Sequence, residues 1–332
     1  MIYTNTSLGM AKPRIRLPRI ALGEFGSIWV ATGVLLLLCA LIAPGTVRLG
    51  SLIAMAPFAS FLAVVSVGQM LVIRQRGLDM SAGSMMALAG LVLAEMSSRA
   101  GFAFPSIIGT LVLCAAVGVA NGLLVARVNI SPIVATLAVD ALLIGGVRAI
   151  SGGTPVTMPA DIQRFAHANI FGLPSSLLLA LSSIGVVAVL VNLTLPGRRF
   201  IAVGASPRAA AASGVRVLRY QVGAYAAASV CFGMAGMMLA GFVGTASQSA
   251  GADYLLPGIV AVIVGGTQFS GGKGSIVATA VAALFMVQLQ QLVLSMGASA
   301  ATQLLVQAIA IVLAVGLRSL PRLYRQVKSR AS

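Results

Sequence analysis

Six polar residues stand where an apolar chain has least reason to place them: Gln69, Asp79, Ser81, Asn121, Thr136 and Asp140. Asp79 belongs to the turn Gly77-Leu-Asp-Met-Ser-Ala-Gly-Ser84. A carboxylate near hydrocarbon is costly and tends to be kept for a pathway or a gate. The same acid also complements the positive start of the helix that follows, where Ser81 is placed to cap. Both readings stand on the sequence. Asp140 falls mid-span in Thr136-Leu-Ala-Val-Asp140-Ala-Leu-Leu-Ile. An ionised carboxyl there needs a wet cavity, a cation or a proton. Arg148, about two turns further along, is reached only through another helix or water. Gln69, Asn121, Gln288, Gln290, Gln291 and Gln303 also interrupt apolar runs. Such amides more often join helices to one another than bind a solute. The expected lining of a polar path is therefore Gln69, Asp79, Ser81, Asn121, Thr136 and Asp140.

Bond-making chemistry finds little support. The loop Gly266-Thr-Gln-Phe-Ser-Gly-Gly-Lys-Gly-Ser275 invites comparison with a phosphate-binding loop, which needs G-x-x-x-x-G-K-[ST]. Counting back from Lys273, the first glycine position holds Thr267, and Gly274 follows the lysine. The chain is expected to bind no nucleotide and no cofactor. His167 is the sole histidine and makes no metal site by itself, and no Ser-His-Asp set is available. Cys39, Cys114 and Cys231 lie in apolar runs without paired spacing, as small buried hydrophobes do.

The elements that must hold these residues are membrane helices. Hydrophobic residues make up 59% of the chain, charged residues only 8%, and the mean hydropathy is +1.03. A soluble domain carries about 25% charged residues. The apolar runs are continuous rather than alternating, which excludes a β-barrel reading. The fold expected is all-α, a polytopic bundle of about ten spans at about 20 residues each. They are placed near 27–44, 51–73, 84–98, 105–126, 131–149, 176–195, 220–243, 256–269, 275–296 and 302–317. The spans near 84–98 and 256–269 are expected to be short or re-entrant. Around the spans, 1–26 and 319–332 read as basic tails. Lys12, Arg14, Arg16 and Arg19 precede a first apolar run too long for a cleaved signal, so it is expected to remain as a span.

Charge orients the bundle. With both termini inside, the inner face collects the basic tails together with Arg74, Arg76, Arg127, Arg198, Arg199, Arg208, Arg216, Arg219 and Lys273. The outer face keeps only Arg48, Arg99, Arg148 and Arg164. That asymmetry accounts for the formal net charge of +16 without a nucleic-acid partner. Two connections are long enough for structure. The outer one, 151–174, is expected to hold a short helix around 160–168. The inner one, 196–219, contains Ser206 as an N-cap, Pro207 at the first helical position, Arg208, Ala209 and Ala210 in an alanine run, then Ser213 and the stop Gly214. A short surface helix follows, which spacing alone leaves as either a linker or a docking element. Gly77–Ser84 and Gly266–Ser275 also echo one another weakly, as internal repeats in transporters do.

Five segments taken in order carry a resemblance: Gly77–Ser84, Asn121-Gly-Leu-Leu-Val-Ala126, Ser131-Pro-Ile-Val-Ala-Thr-Leu137, Gly197–Gly214 and Gly265–Ser275. Together they resemble the permease subunits of bacterial ABC importers for ribose-type monosaccharides, over nearly the whole chain from about residue 50. The resemblance implies an inner-membrane permease paired with a second permease, usually another copy. It further implies cytoplasmic ATPase subunits that carry ATP and Mg, and an external substrate-binding protein. Ser206–Gly214 then corresponds to the coupling helix, with Ala210 among its docking residues. The chain departs from the family at Asp253-Tyr-Leu-Leu-Pro257, where Leu255 and Pro257 replace expected acids. Rival readings are a branched-chain amino acid or nucleoside permease, and a self-contained proton-coupled transporter using Asp79 and Asp140.

Overall fold

A computed structural model of the chain describes residues 26–101, 103–299, 301–303, 305–306 and 308–309. The N-terminal tail up to residue 25, the C-terminal tail 319–332 and most of the expected span 302–317 lie outside the described residues. In hydrocarbon every backbone N–H and C=O must find an internal partner, so an apolar chain of this length resolves into helices. They run in the order α1 (Gly26–Ile42), α2 (Leu49–Arg74), α3 (Ala82–Ala100), α4 (Ala103–Ala126), α5 (Pro132–Ser151), α6 (Ala160–Ala166), α7 (Ser175–Leu193), α8 (Leu195–Ala205), α9 (Pro207–Ala212), α10 (Val217–Val243), α11 (Ala252–Val264) and α12 (Ile276–Ser295). Four two-residue strands occur: β1 (Val156–Thr157), β2 (Asn169–Ile170), β3 (Leu173–Pro174) and β4 (Thr245–Ala246). β1 pairs with β4 and β2 with β3, both antiparallel.

The protein is an all-α polytopic bundle. Among the described residues six helices, α2, α4, α5, α7, α10 and α12, are long and apolar enough to cross a membrane, and α1 and α11 are shorter apolar helices. The expectation of two short spans is met by α11 alone, at 13 residues. α3 reaches 19 residues, ending at the left-handed Gly101. It looks weak in sequence because it is enclosed: from Ala82 to Ala94 nearly every side chain is buried in the bundle. The short helix expected around 160–168 is α6, laid against α10, with the His167 ring 4.8 Å from that of Phe242.

α10 is the hub, packed against α2, α3 and α4. Small residues make this possible because two backbones must nearly touch. A Cβ added at Gly236 would overlap the backbone of Met86 in α3, and one at Gly118 of α4 would sit 2.7 Å from Cα of Ala226. Gly145-Gly146, which in sequence suits the same kind of packing, has nothing within 4 Å of either added Cβ. That half of α5 is turned away from the bundle. α5 buries only Ala135, Thr136, Val139 and Val147, and exposes Ile133, Val134, Leu137, Leu142 and Ile150.

Gly236→Val is expected to destabilise the bundle by about 1–3 kcal/mol, the usual cost of overpacking, while Gly145→Val is expected to be silent. Thermal unfolding of both variants in detergent checks this, and equal midpoints would contradict the packing described.

Candidate functional site

The connection between α2 and α3 begins with a backbone device that recurs at the ends of α9, α11 and α12. At the end of α2, Arg76 N donates to Ile73 O at 2.9 Å and Gly77 N to Val72 O at 3.1 Å. At the end of α11, Gly266 N donates to Ile263 O at 2.9 Å and Thr267 N to Val262 O at 3.1 Å. Both are Schellman closures, whose first residue past the helix is left-handed. That position is Gly266 with φ 102° in one case and Arg76 with φ 64° in the other. Of these four closures, the one after α2 puts a bulky arginine where the other three have glycine.

The residues that follow are buried, and five of the six sequence-derived polar candidates gather around them. Gln69, Asp79, Ser81, Asn121 and Thr136 are each fully enclosed. Ser81 donates twice to Asp79 Oδ1, from its backbone N at 2.9 Å and from Oγ at 2.6 Å. Asn121 Nδ2 of α4 donates to Ser81 Oγ at 3.0 Å. Gln69 Nε2 of α2 donates to the Asp79 carbonyl. Thr136 Oγ1 of α5 accepts from Met80 N at 3.0 Å and donates to Pro132 O at 2.8 Å. Three helices, α2, α4 and α5, thus bond to one irregular turn. Ser81 does not cap α3 with its side chain, as the sequence suggests. Its hydroxyl is taken by Asp79, and only its carbonyl enters the helix, accepting from Met85 N at 2.9 Å. Burial pushes the Asp79 carboxyl above its ordinary value, the bonds from Ser81 and nearby Asn121 oppose the shift, and Asp140 adds to it. Tyr225 of α10, which the sequence did not single out, closes the turn from behind: a Cβ at Gly77 would collide with its hydroxyl.

Asp140, the sixth candidate, stands apart. It lies one turn beyond Thr136, half-buried, and among the described residues it forms no ion pair. Arg148 turns instead to Gln248, with Nε 2.8 Å from Oε1. At the opposite end of α2 from this turn, Met55, Phe58, Asp253, Tyr254, Pro257, Gln290 and Gln291 line a cavity of about 320 Å3 between α2, α11 and α12. Three polar side chains there, Asp253, Gln290 and Gln291, come from two different helices.

The 196–219 connection folds as its residues suggest. Thr194 caps α8, accepting from Gly197 N, and Ser206 caps α9, accepting from Ala209 N at 3.3 Å. Pro207 opens α9, and left-handed Gly214 (φ 77°) follows its end. Arg208, Ala209 and Ser213 are exposed, whereas Ala210 is buried against the protein. Ala210, expected among the docking residues, is thus turned away from the exposed surface of α9, which is built from Arg208, Ala209, Ala211, Ala212 and Ser213.

An enclosed polar turn inside a polytopic bundle, with a capped helix carried between two spans, places the chain among membrane permeases. It belongs to the family described as branched-chain amino acid transport system / permease component, whose model matches residues 51–315. It is 30% identical over 295 residues to the ribose import permease protein RbsC of Escherichia coli (strain K12), covering 86% of this chain and 91% of that protein. It is 31% identical over 255 residues to RbsC of Bacillus subtilis (strain 168), covering 76% and 79%. The autoinducer 2 import system permease protein LsrD of Escherichia coli (strain SMS-3-5 / SECEC) is 32% identical over 236 residues, covering 69% and 71%. No solved structure matches the chain significantly.

Two tests address the turn. Ser81→Ala removes one of the two bonds to Asp79 Oδ1 and leaves Asn121 Nδ2 without its partner, and is expected to destabilise by about 1–3 kcal/mol in detergent unfolding. A carboxyl whose folded pKa is raised keeps its proton after the unfolded chain has lost it. Stability therefore falls as pH rises from about 4, the ordinary carboxylate value, through the folded value. Asp79→Asn is expected to flatten that slope, and an unchanged pH profile would show that Asp79 does not titrate with folding.

Proposed function

We propose that this chain is the membrane permease of an ATP-driven importer in the bacterial inner membrane, both termini cytoplasmic, translocating a small sugar such as a pentose. Similarity to permeases named for ribose and autoinducer 2 import supports the cargo class. The observation that carries the mechanism is α9, a capped six-residue helix that exposes Arg208 and three alanines, carried between α8 and α10. In this reading α9 seats in a cytoplasmic ATPase subunit that binds ATP and Mg, and the permease contributes no bond chemistry. ATP closes the ATPase pair, and the closure reaches the spans as a rigid-body displacement of α9.

The six polar candidates divide into two roles. Gln69, Asp79, Ser81, Asn121 and Thr136 hold the framework, because each bonds within the turn and none meets solvent, with Gln69 Oε1, Asp79 Oδ2 and Asn121 Oδ1 left buried and unpaired. Asp140 borders the path, half-buried one turn beyond Thr136, while Gly145 and Gly146 lie on the outward half of the same helix and face open space. A second copy of the chain covers that apolar half, and cargo passes between the copies after release from an external binding protein. The cavity holding Asp253, Gln290 and Gln291 marks the outer approach, where hydroxyl-rich cargo meets hydrogen-bonding side chains.

Affinity purification from native membranes, with mass spectrometry of what is retained, tests the reading. A stoichiometric ABC ATPase is expected. Recovery of the chain alone would favour a proton-coupled transporter instead. Arg208→Glu is expected to lower ATPase recovery about tenfold through charge reversal at the interface while membrane insertion stays normal. Unchanged recovery would remove α9 from the docking face.

A further inference from the structure

We infer that Arg76 is a positioning residue for coupling: its guanidinium clasps the end of α8, so that displacement of α9 is handed to α2 rather than dissipated in the loop. The inference rests on the coupling role proposed for α9 and identifies the joint behind it. Arg76 Nη2 donates to Ala205 O at 2.7 Å and Nε to Gly204 O at 3.3 Å. These are among the last carbonyls of α8, left without partners inside the helix, and a cation at a helix C-terminus is favoured by the dipole as well. α9 begins two residues beyond Ala205.

Arg76 is the outermost of three consecutive residues that grip α8. Gln75 Nε2 donates to Phe200 O at 2.8 Å, one turn earlier on the same face as Gly204. Arg74, buried at the end of α2, lays its guanidinium over the Phe200 ring at 5.7 Å. The loop before α12 completes the joint: Gly272 N donates to Arg74 O at 3.0 Å, and Arg74 Nε donates to Gly272 O at 3.2 Å. The backbones meet closely here, since a Cβ at Gly204 would strike the Arg74 carbonyl and one at Gly272 would lie 2.8 Å from Cα of Ala205. Three chain segments are thus fixed to one another: the end of α2, the end of α8, and the entry to α12.

The left-handed backbone of Arg76 separates clasp from turn. A non-glycine residue at φ 64° is held against its own preference, whereas the equivalent closure after α11 uses Gly266. A residue kept in a disfavoured conformation, with its side chain tied to another element, marks a position where the side chain matters beyond the turn. Local folding would be served at least as well by glycine.

Arg76→Gly is therefore the informative variant, because it preserves or improves the turn while deleting the clasp. In proteoliposomes holding the assembled importer, the measured quantity is cargo imported per ATP hydrolysed. Arg76→Gly is expected to lower that ratio about tenfold, the order of one lost hydrogen bond to a charged group, with the ATPase still bound. Arg76→Lys, which keeps a donor, is expected to recover part of it. A wild-type ratio in Arg76→Gly would overturn the inference, and so would loss of both variants from the membrane, which would make the contact a folding requirement. If the unmodified chain recruits no ATPase, the coupling role of α9 fails first, and the clasp with it.

Discussion

Non-helical backbone enclosed by apolar helices has to find every hydrogen bond inside the protein, and the turn at residues 75–81 imposes that requirement on the whole bundle. Gln75, Gly77, Asp79 and Ser81 are all buried. The turn's partners arrive from α2, α4 and α5, while Tyr225 of α10 fills the space behind Gly77. An unsatisfied polar group in such surroundings costs several kcal/mol. The relative placement of these helices is therefore as much a matter of polar satisfaction as of apolar packing. Asp79 is at the centre because one carboxylate oxygen accepts two bonds from Ser81 and so bends the chain into α3.

Packing then concentrates on one side. α2, α3 and α10 are largely enclosed, and their glycine contacts leave no room for side chains at the crossings. α5 and α7 keep most of their apolar surface outward. Without a hydrophobic drive between helices in lipid, close backbone approach supplies the specificity. The enclosed helices are thus suited to move together, and the outward ones to face lipid or a second permease.

The mechanical parts lie at the same end of α2 as this turn. α9 is attached to α8, and α8 is hydrogen-bonded at Phe200, Gly204 and Ala205 to Gln75 and Arg76 beyond the α2 end, with Arg74 over the Phe200 ring. α2 in turn packs against α10, α11 and α12. A displacement entering at α9 meets one of the enclosed helices of the bundle before it meets the peripheral ones. Membership of a transport-permease family gives that arrangement a purpose, since gating a path requires a few rigid elements to move as one.

Local chemistry was legible in the sequence wherever it depends on neighbours in the chain. Continuous apolar runs established the all-α membrane class, and the Ser206-Pro207 start with Gly214 beyond the end established α9. Tertiary structure decided whatever depends on facing. It enclosed α3, which read as short because its serines and methionines lower its hydropathy. It turned Ala210 inward and left Gly145 and Gly146 in the open, which no periodicity specifies. It also converted Arg74 and Arg76 from loop charges into the grip on α8, because those hydrogen bonds join residues more than a hundred positions apart. Residue type fixed what each group needed; only the packed bundle determined which partner met the need.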